Sequence, residues 1–135
     1  MRADGRADAP AVLAIGVAKG VAAGTPDIAA FAGDVLALLG ESRIAVVDGD
    51  VDIDTRWLGD DYAVPTRAGD EAIVWAARHG GWVLDRTHTG KGFSGLLGNA
   101  TSGRWGPGDD VVFIHTGGTP AVFGCNGLPA FGSPA

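Results

Sequence analysis

Glycine sets the strongest limit on what this chain can fold into. It supplies 23 of the 135 residues, and many of these punctuate short apolar runs. A run stopped after roughly four to eight residues is a buried strand or one side of a short helix, not a membrane span. "PAVLAIGVA" (10–18) reads as a buried strand. "TPDIAAFAGDVLALLG" (25–40) reads as a helix, with Thr25 as N-cap, Pro26 in the first turn, Asp27 at the positive end of the dipole and Gly40 as the stop. Its apolar residues Ile28, Phe31, Val35, Leu38 and Leu39 fall on one face.

Residues 43–57, "RIAVVDGDVDIDTRW", read as extended with a turn near Asp48-Gly49. "TRAGDEAIVWAARHGG" (66–81) is a second helix, capped by Thr66 and ended by Gly80-Gly81. "WVLDRTHTGKG" (82–92) is a short strand running into a polar loop. Residues 93–103 make a weak helix, because Gly95, Gly98, Asn99 and Thr101 all lower helix propensity. Residues 111–114 form a last strand, and "TPAVFGC" (119–125) starts like a helix. Strands alternating with helices predict an α/β fold, a three-layer αβα arrangement with a mainly parallel sheet. Residues 1–9 are expected to be an unpacked leader and 10–135 one unit.

The formal net charge is −6, with no cluster of Lys and Arg. That excludes the usual electrostatic footprint for nucleic acid or an anionic membrane. The beginning of the chain lacks the apolar core of a secretory signal. The single Cys125 has no internal disulfide partner, so a reducing, cytoplasmic compartment is expected. His79, His88 and His115 show no metal spacing, and no Gly-x-Ser-x-Gly is present. The acids of "DGDVDID" (48–54) lack the Gly of a calcium loop and alternate with apolar residues, as on a half-exposed strand.

One stretch asks for a ligand. "VVFIHTGGTPAVFG" (111–124) starts as a buried strand and ends at His115-Thr116-Gly117-Gly118. Ligands of open α/β sheets bind beyond the carboxyl ends of strands, and glycines let backbone approach them. Thr119-Pro120 then opens a helix N-terminus. Spacing alone favours the plainer reading, a tight βα turn in which Thr116 caps the next helix.

That stretch resembles a C-terminal segment of the D-cysteine desulfhydrase and 1-aminocyclopropane-1-carboxylate deaminase family, pyridoxal-phosphate enzymes of the tryptophan-synthase-β-like fold. "YAVPTRAGDEAI" (62–73) and "LDRTHTGKGFSGLL" (84–97) resemble two further segments of the family in the same order. The resemblance covers residues 15–123 and implies the C-terminal part of the large domain of a fold-type II pyridoxal-phosphate enzyme. It implies that the Thr116 hydroxyl meets the pyridine nitrogen of the cofactor, beside Gly117 and Gly118. A neutral hydroxyl leaves the ring short of a full pyridinium, which suits β-elimination. Tyr62, His88 and Thr89 fall at catalytic positions near the substrate, a small amino acid.

The Thr of His-Thr-Gly-Gly resembles the desulfhydrase side of the family, whose members turn D-cysteine into pyruvate, ammonia and sulfide. An aminocyclopropane-carboxylate deaminase and a cysteate-type lyase are the alternatives. This sequence departs from the family pattern at His88 and Cys125, where Tyr is common, and at Arg86, where Pro is usual. The family's Schiff-base lysine and Gly-rich phosphate loop lie upstream of the segment matching "AVLAIGV". Lys19 and Lys91 match neither, so the isolated chain is expected to be inactive. A catalytically silent, truncated α/β fragment is the competing expectation. A family-type homodimer is expected only together with the upstream part.

Overall fold

A computed structural model describes residues 11–18, 25–50, 52–124 and 127–130. The expected leader, Pro10, Lys19 and Cys125 lie outside the described residues. Strand β1 (Leu13–Ile15) and strand β2 (Asp52–Asp54) pair in parallel, with Leu13 opposite Asp52 and Ile15 opposite Asp54. The ladder ends where the Gly16 N–H donates to the Asp54 carbonyl at 2.9 Å. Between them lie helix α1 (Thr25–Leu38) and a single 3-10 turn at Asp48–Asp50, where a turn was expected.

The architecture among the described residues is therefore a small α/β unit: three α-helices and a two-stranded parallel sheet. Residues 82–84 and 111–114, both expected as strands, run extended without a ladder partner among the described residues. A strand is defined by its neighbour, and backbone periodicity alone does not supply one.

Helix α2 (Arg67–Gly80) begins as its sequence requires. Thr66 is extended, and its hydroxyl accepts the Gly69 N–H at 3.0 Å. Gly81 closes the helix in the left-handed region at φ 67°, its N–H donating to the Ala77 carbonyl and the next N–H, that of Trp82, to the Ala76 carbonyl. Helix α3 (Thr89–Thr101) is the longer and firmer version of the helix expected at 93–103. Its glycines are packing devices. A side chain at Gly95 would lie 2.7 Å from Ile15, and one at Gly98 would enter the Trp57 ring. The close approach gained there outweighs the propensity lost, about 1 kcal/mol per Gly against Ala.

The core lies between α2 and α3. Ala72, Ile73, Ala76, Leu84 and Phe93 are buried together, with Leu96, Leu97 and Phe113 packed against them. Burying Ile73, Leu84 and Phe93 stabilises the pairing by about 1.5–3 kcal/mol per side chain. Phe93 is the hub, with ring centroids of Phe113 at 5.1 Å, Trp82 at 5.7 Å and Trp75 at 5.8 Å.

Helix α1 differs from expectation. Its predicted apolar face is turned outward: Phe31 is 70% exposed and Leu38 88%, while the small Ala29 is buried. Amphipathic spacing identifies a face that can be covered, yet Ile28, Phe31, Val35, Leu38 and Leu39 all stay exposed.

Candidate active site

The site grows out of the turn before α3. Asp85 is fully buried, yet its carboxylate is surrounded by donors. Oδ2 accepts the Thr87 and His88 N–H groups, each at 2.9 Å, and Oδ1 accepts the Thr89 N–H at 2.9 Å and the Thr89 hydroxyl at 2.7 Å. The Asp85 N–H in turn donates to Thr89 Oγ1 at 2.9 Å. These are the unpaired first-turn donors of α3, so Asp85 acts as its cap. Burial pushes the Asp85 carboxyl up. The bonds from Thr89, His88 and Thr87 outweigh that and leave it below its ordinary value.

His88 projects from this turn. Its Nδ1 lies 3.3 Å from Asp85 Oδ2, and its Nε2 lies 2.7 Å from the Tyr62 hydroxyl. The rings meet edge-on at 5.3 Å. Tyr62 is half exposed and His88 partly so, which leaves the outer face of the pair open to solvent. Tyr62 is carried by a loop held from beneath by Lys91. That side chain is fully buried, and its ammonium donates to the Leu58 carbonyl at 2.7 Å and the Asp61 carbonyl at 2.8 Å. Burial lowers the Lys91 pKa, while the charges of Asp61 and Asp60 oppose the shift. Arg86, the departure from the usual Pro, pairs with Asp70 of α2 through two bonds of 2.8 and 2.6 Å, tying the turn to that helix.

The His115-Thr116-Gly117-Gly118 turn lies against the same structure. Phe113 anchors it on Phe93. The Gly117 N–H donates to His115 Nδ1 at 3.2 Å, so Nε2 carries the ring proton and donates to the Val83 carbonyl at 3.2 Å. Gly118 is left-handed at φ 88°, and any side chain there would collide with Asp85 Oδ1. Gly117 is also left-handed, at φ 111°, but has open space before it. Thr116 is exposed, and no hydrogen-bond partner holds its hydroxyl among the described residues. A 3-10 turn (Thr119–Phe123) follows where a helix start was expected.

The structure thus gathers Tyr62, His88, Thr89 and the 116–118 turn around one carboxylate. Thr89 is buried, and its hydroxyl is occupied on both sides by Asp85. It holds Asp85 and does not face solvent. Asp85 itself was missed by the sequence reading. The available signal was an acid four residues ahead of the Thr that opens a helix. A second buried carboxylate, Asp54, is structural. Arg56, Asn99 and the Trp57 indole bind it, and the Arg56 guanidinium above all holds it well below the usual carboxylate range. Among the described residues, no group of His, Cys, Asp and Glu is arranged to hold a metal ion. No described helix is long and apolar enough to cross a membrane.

The fold and the site together define a class: a small α/β unit with an open Tyr-His pair on a buried Asp, beside a Gly-Gly turn. Comparison with known proteins narrows it: the chain is similar to proteins named 1-aminocyclopropane-1-carboxylate deaminase, with the similarity falling on their C-terminal part. It is 34% identical to the deaminase of Burkholderia cenocepacia over 126 residues, 93% of this chain and 36% of the relative. Against that of Burkholderia multivorans it is 34% identical over 120 residues, 89% of this chain and 35% of the relative. Against that of Burkholderia vietnamiensis the identity is 36% over 77 residues, 57% of this chain and 23% of the relative. The chain thus spans about a third of the length of the first two. No family model matches it.

Proposed function

We propose that this chain forms one wall of the active site of a pyridoxal-phosphate-dependent lyase that converts a small amino acid to a 2-oxo acid and ammonia. One observation carries the reading: the 116–118 turn and the Tyr62–His88 pair, far apart in sequence, meet on opposite sides of Asp85. Likeness to the named deaminases supports the same reaction class.

The residues fit the ring edge of the cofactor. Thr116 is exposed and offers a hydroxyl not engaged by any described residue, and a side chain at the neighbouring Gly117 would meet open space. They do not fit its covalent attachment, because Lys91 is buried and committed to two carbonyls, and Lys19 lies outside the described residues. When bound, pyridoxal phosphate supplies an electron-accepting ring. The work of this chain is then to orient that ring through Thr116 and to place the Tyr62 and His88 polar atoms where a substrate proton moves.

D-cysteine is our first substrate, giving pyruvate, ammonia and sulfide, because of the Thr in His-Thr-Gly-Gly. Aminocyclopropane carboxylate is the second, because the relatives carry its name. The site is tested by titrating the isotope-labelled chain with pyridoxamine 5'-phosphate, which shares the ring and phosphate but forms no adduct with lysine. Amide shifts confined to 116–118 and the 85–89 turn are expected. Shifts scattered over the surface would contradict the assignment.

A further inference from the structure

We propose that Tyr62, His88 and Asp85 form a proton relay: the exposed Tyr62 hydroxyl exchanges a proton with the substrate, His88 is its base, and Asp85 is the residue that positions His88. The relay rests on the proposed function only for the identity of the substrate.

The order of the relay follows from the donors. Every other group touching the Asp85 carboxylate is a donor: three main-chain N–H groups and the Thr89 hydroxyl. An oxygen pair bound in this way is ionised and can only accept. His88 Nδ1, 3.3 Å from Oδ2, therefore carries the ring proton. In the neutral ring Nε2 is then the acceptor, and at 2.7 Å it takes the Tyr62 O–H. The assignment is forced by the buried end of the relay, not by the exposed end.

In the forward step the Tyr62 proton passes to His88 Nε2, while the phenol oxygen takes a proton from the acidic C–H or N–H of the substrate. One proton has then moved from substrate to imidazole, and the new cation lies against the Asp85 carboxylate. The reverse path returns it, and no oxidant or reductant enters. The Asp85 carboxylate cannot swing away, because the Thr89 N–H and hydroxyl both donate to Oδ1 and the Gly118 backbone closes over that oxygen. A Tyr in place of His88 would supply a hydroxyl but no base of this kind. The relay is therefore a property of this sequence, not of the usual Tyr at that position.

Tyr62 is the only tyrosine in the chain, so its reactivity can be read directly. The test is the rate of acylation of the phenol by N-acetylimidazole in the cofactor-free chain, followed by loss of phenol absorbance. Nitrogen NMR of the histidine rings gives the His88 tautomer. General-base assistance is worth about 10²–10⁴-fold, so His88→Gln should slow acylation by about tenfold or more. The Nδ1–H tautomer is expected in the wild type. In Asp85→Asn the amide oxygen keeps the place that accepts the Thr87 and His88 N–H groups, so the Nδ1–H tautomer is kept, but the negative charge facing the protonated ring is lost and the same loss of rate is expected. A folded Asp85→Asn that acylates at the wild-type rate would leave Asp85 a purely structural role and overturn its place in the relay. His88→Gln changes a partly exposed side chain and keeps the test valid if Asp85→Asn fails to fold. A rate loss below tenfold in His88→Gln, or an Nε2–H tautomer in the wild type, overturns the relay. Neither result depends on whether the chain binds pyridoxal phosphate.

Discussion

Replacing Gly118 by Ala should separate a contact from a backbone effect. Two costs apply at this position. A non-glycine residue in the left-handed region costs about 1–2 kcal/mol, and Gly118 has φ 88°. The new methyl would also meet Asp85 Oδ1. That oxygen cannot yield, because the Thr89 N–H and hydroxyl hold it at 2.9 and 2.7 Å. Overpacking against a rigid neighbour costs about 1–3 kcal/mol. Gly117→Ala is the control, since it is also left-handed, at φ 111°, but has open space in front. Only the first cost applies to it. Urea unfolding should give a loss of about 2–5 kcal/mol for Gly118→Ala and about 1–2 kcal/mol for Gly117→Ala. Equal losses would refute the docking of the 115–118 turn on Asp85.

Three more outcomes follow from the same geometry. Thr66→Ala removes the acceptor of the Gly69 N–H and should cost about 1 kcal/mol in urea unfolding. Lys91→Met keeps the buried stem but leaves the Leu58 and Asp61 carbonyls without their ammonium; a loss of about 1–3 kcal/mol and faster proteolysis at 58–62 are expected. Asp54 and Asp85 both titrate lower in the folded chain than unfolded, so the unfolded chain takes up protons first on acidification. Stability should be full near neutrality and fall progressively below about pH 4. A urea midpoint that does not change on acidification would contradict this.

Local chemistry was legible in the sequence and tertiary partnership was not. The α2 boundaries follow from Thr66 and Gly81, whose roles need only their own neighbours. Helix α3 looked weak because Gly95 and Gly98 count against it in isolation; their value comes from Ile15 and Trp57, which no local rule connects to them. The exposed Phe31 and Leu38 of α1 show the same limit from the other side. Within the site, Tyr62, His88 and the 116–118 turn were legible as segments. Their convergence was not, because it depends on Asp85, a residue whose task is to cap the α3 turn. Residues 111–114 have the composition of a strand, and that composition says nothing about which strand pairs with it.

The most direct test of the account replaces the corresponding C-terminal part of the Burkholderia cenocepacia relative with this chain. The folded hybrid, shown by its absorbance to hold pyridoxal phosphate, is assayed for 2-oxo acid and ammonia from D-cysteine and from aminocyclopropane carboxylate. The account predicts turnover of at least one of them, with sulfide if it is D-cysteine. Tyr62→Phe should lower the turnover by about tenfold or more, and Thr116→Val several-fold, since a neutral hydrogen bond is worth about 1 kcal/mol. A folded, cofactor-loaded hybrid that releases no 2-oxo acid from either substrate would contradict the account, as would one whose rate and spectrum are unchanged by both substitutions.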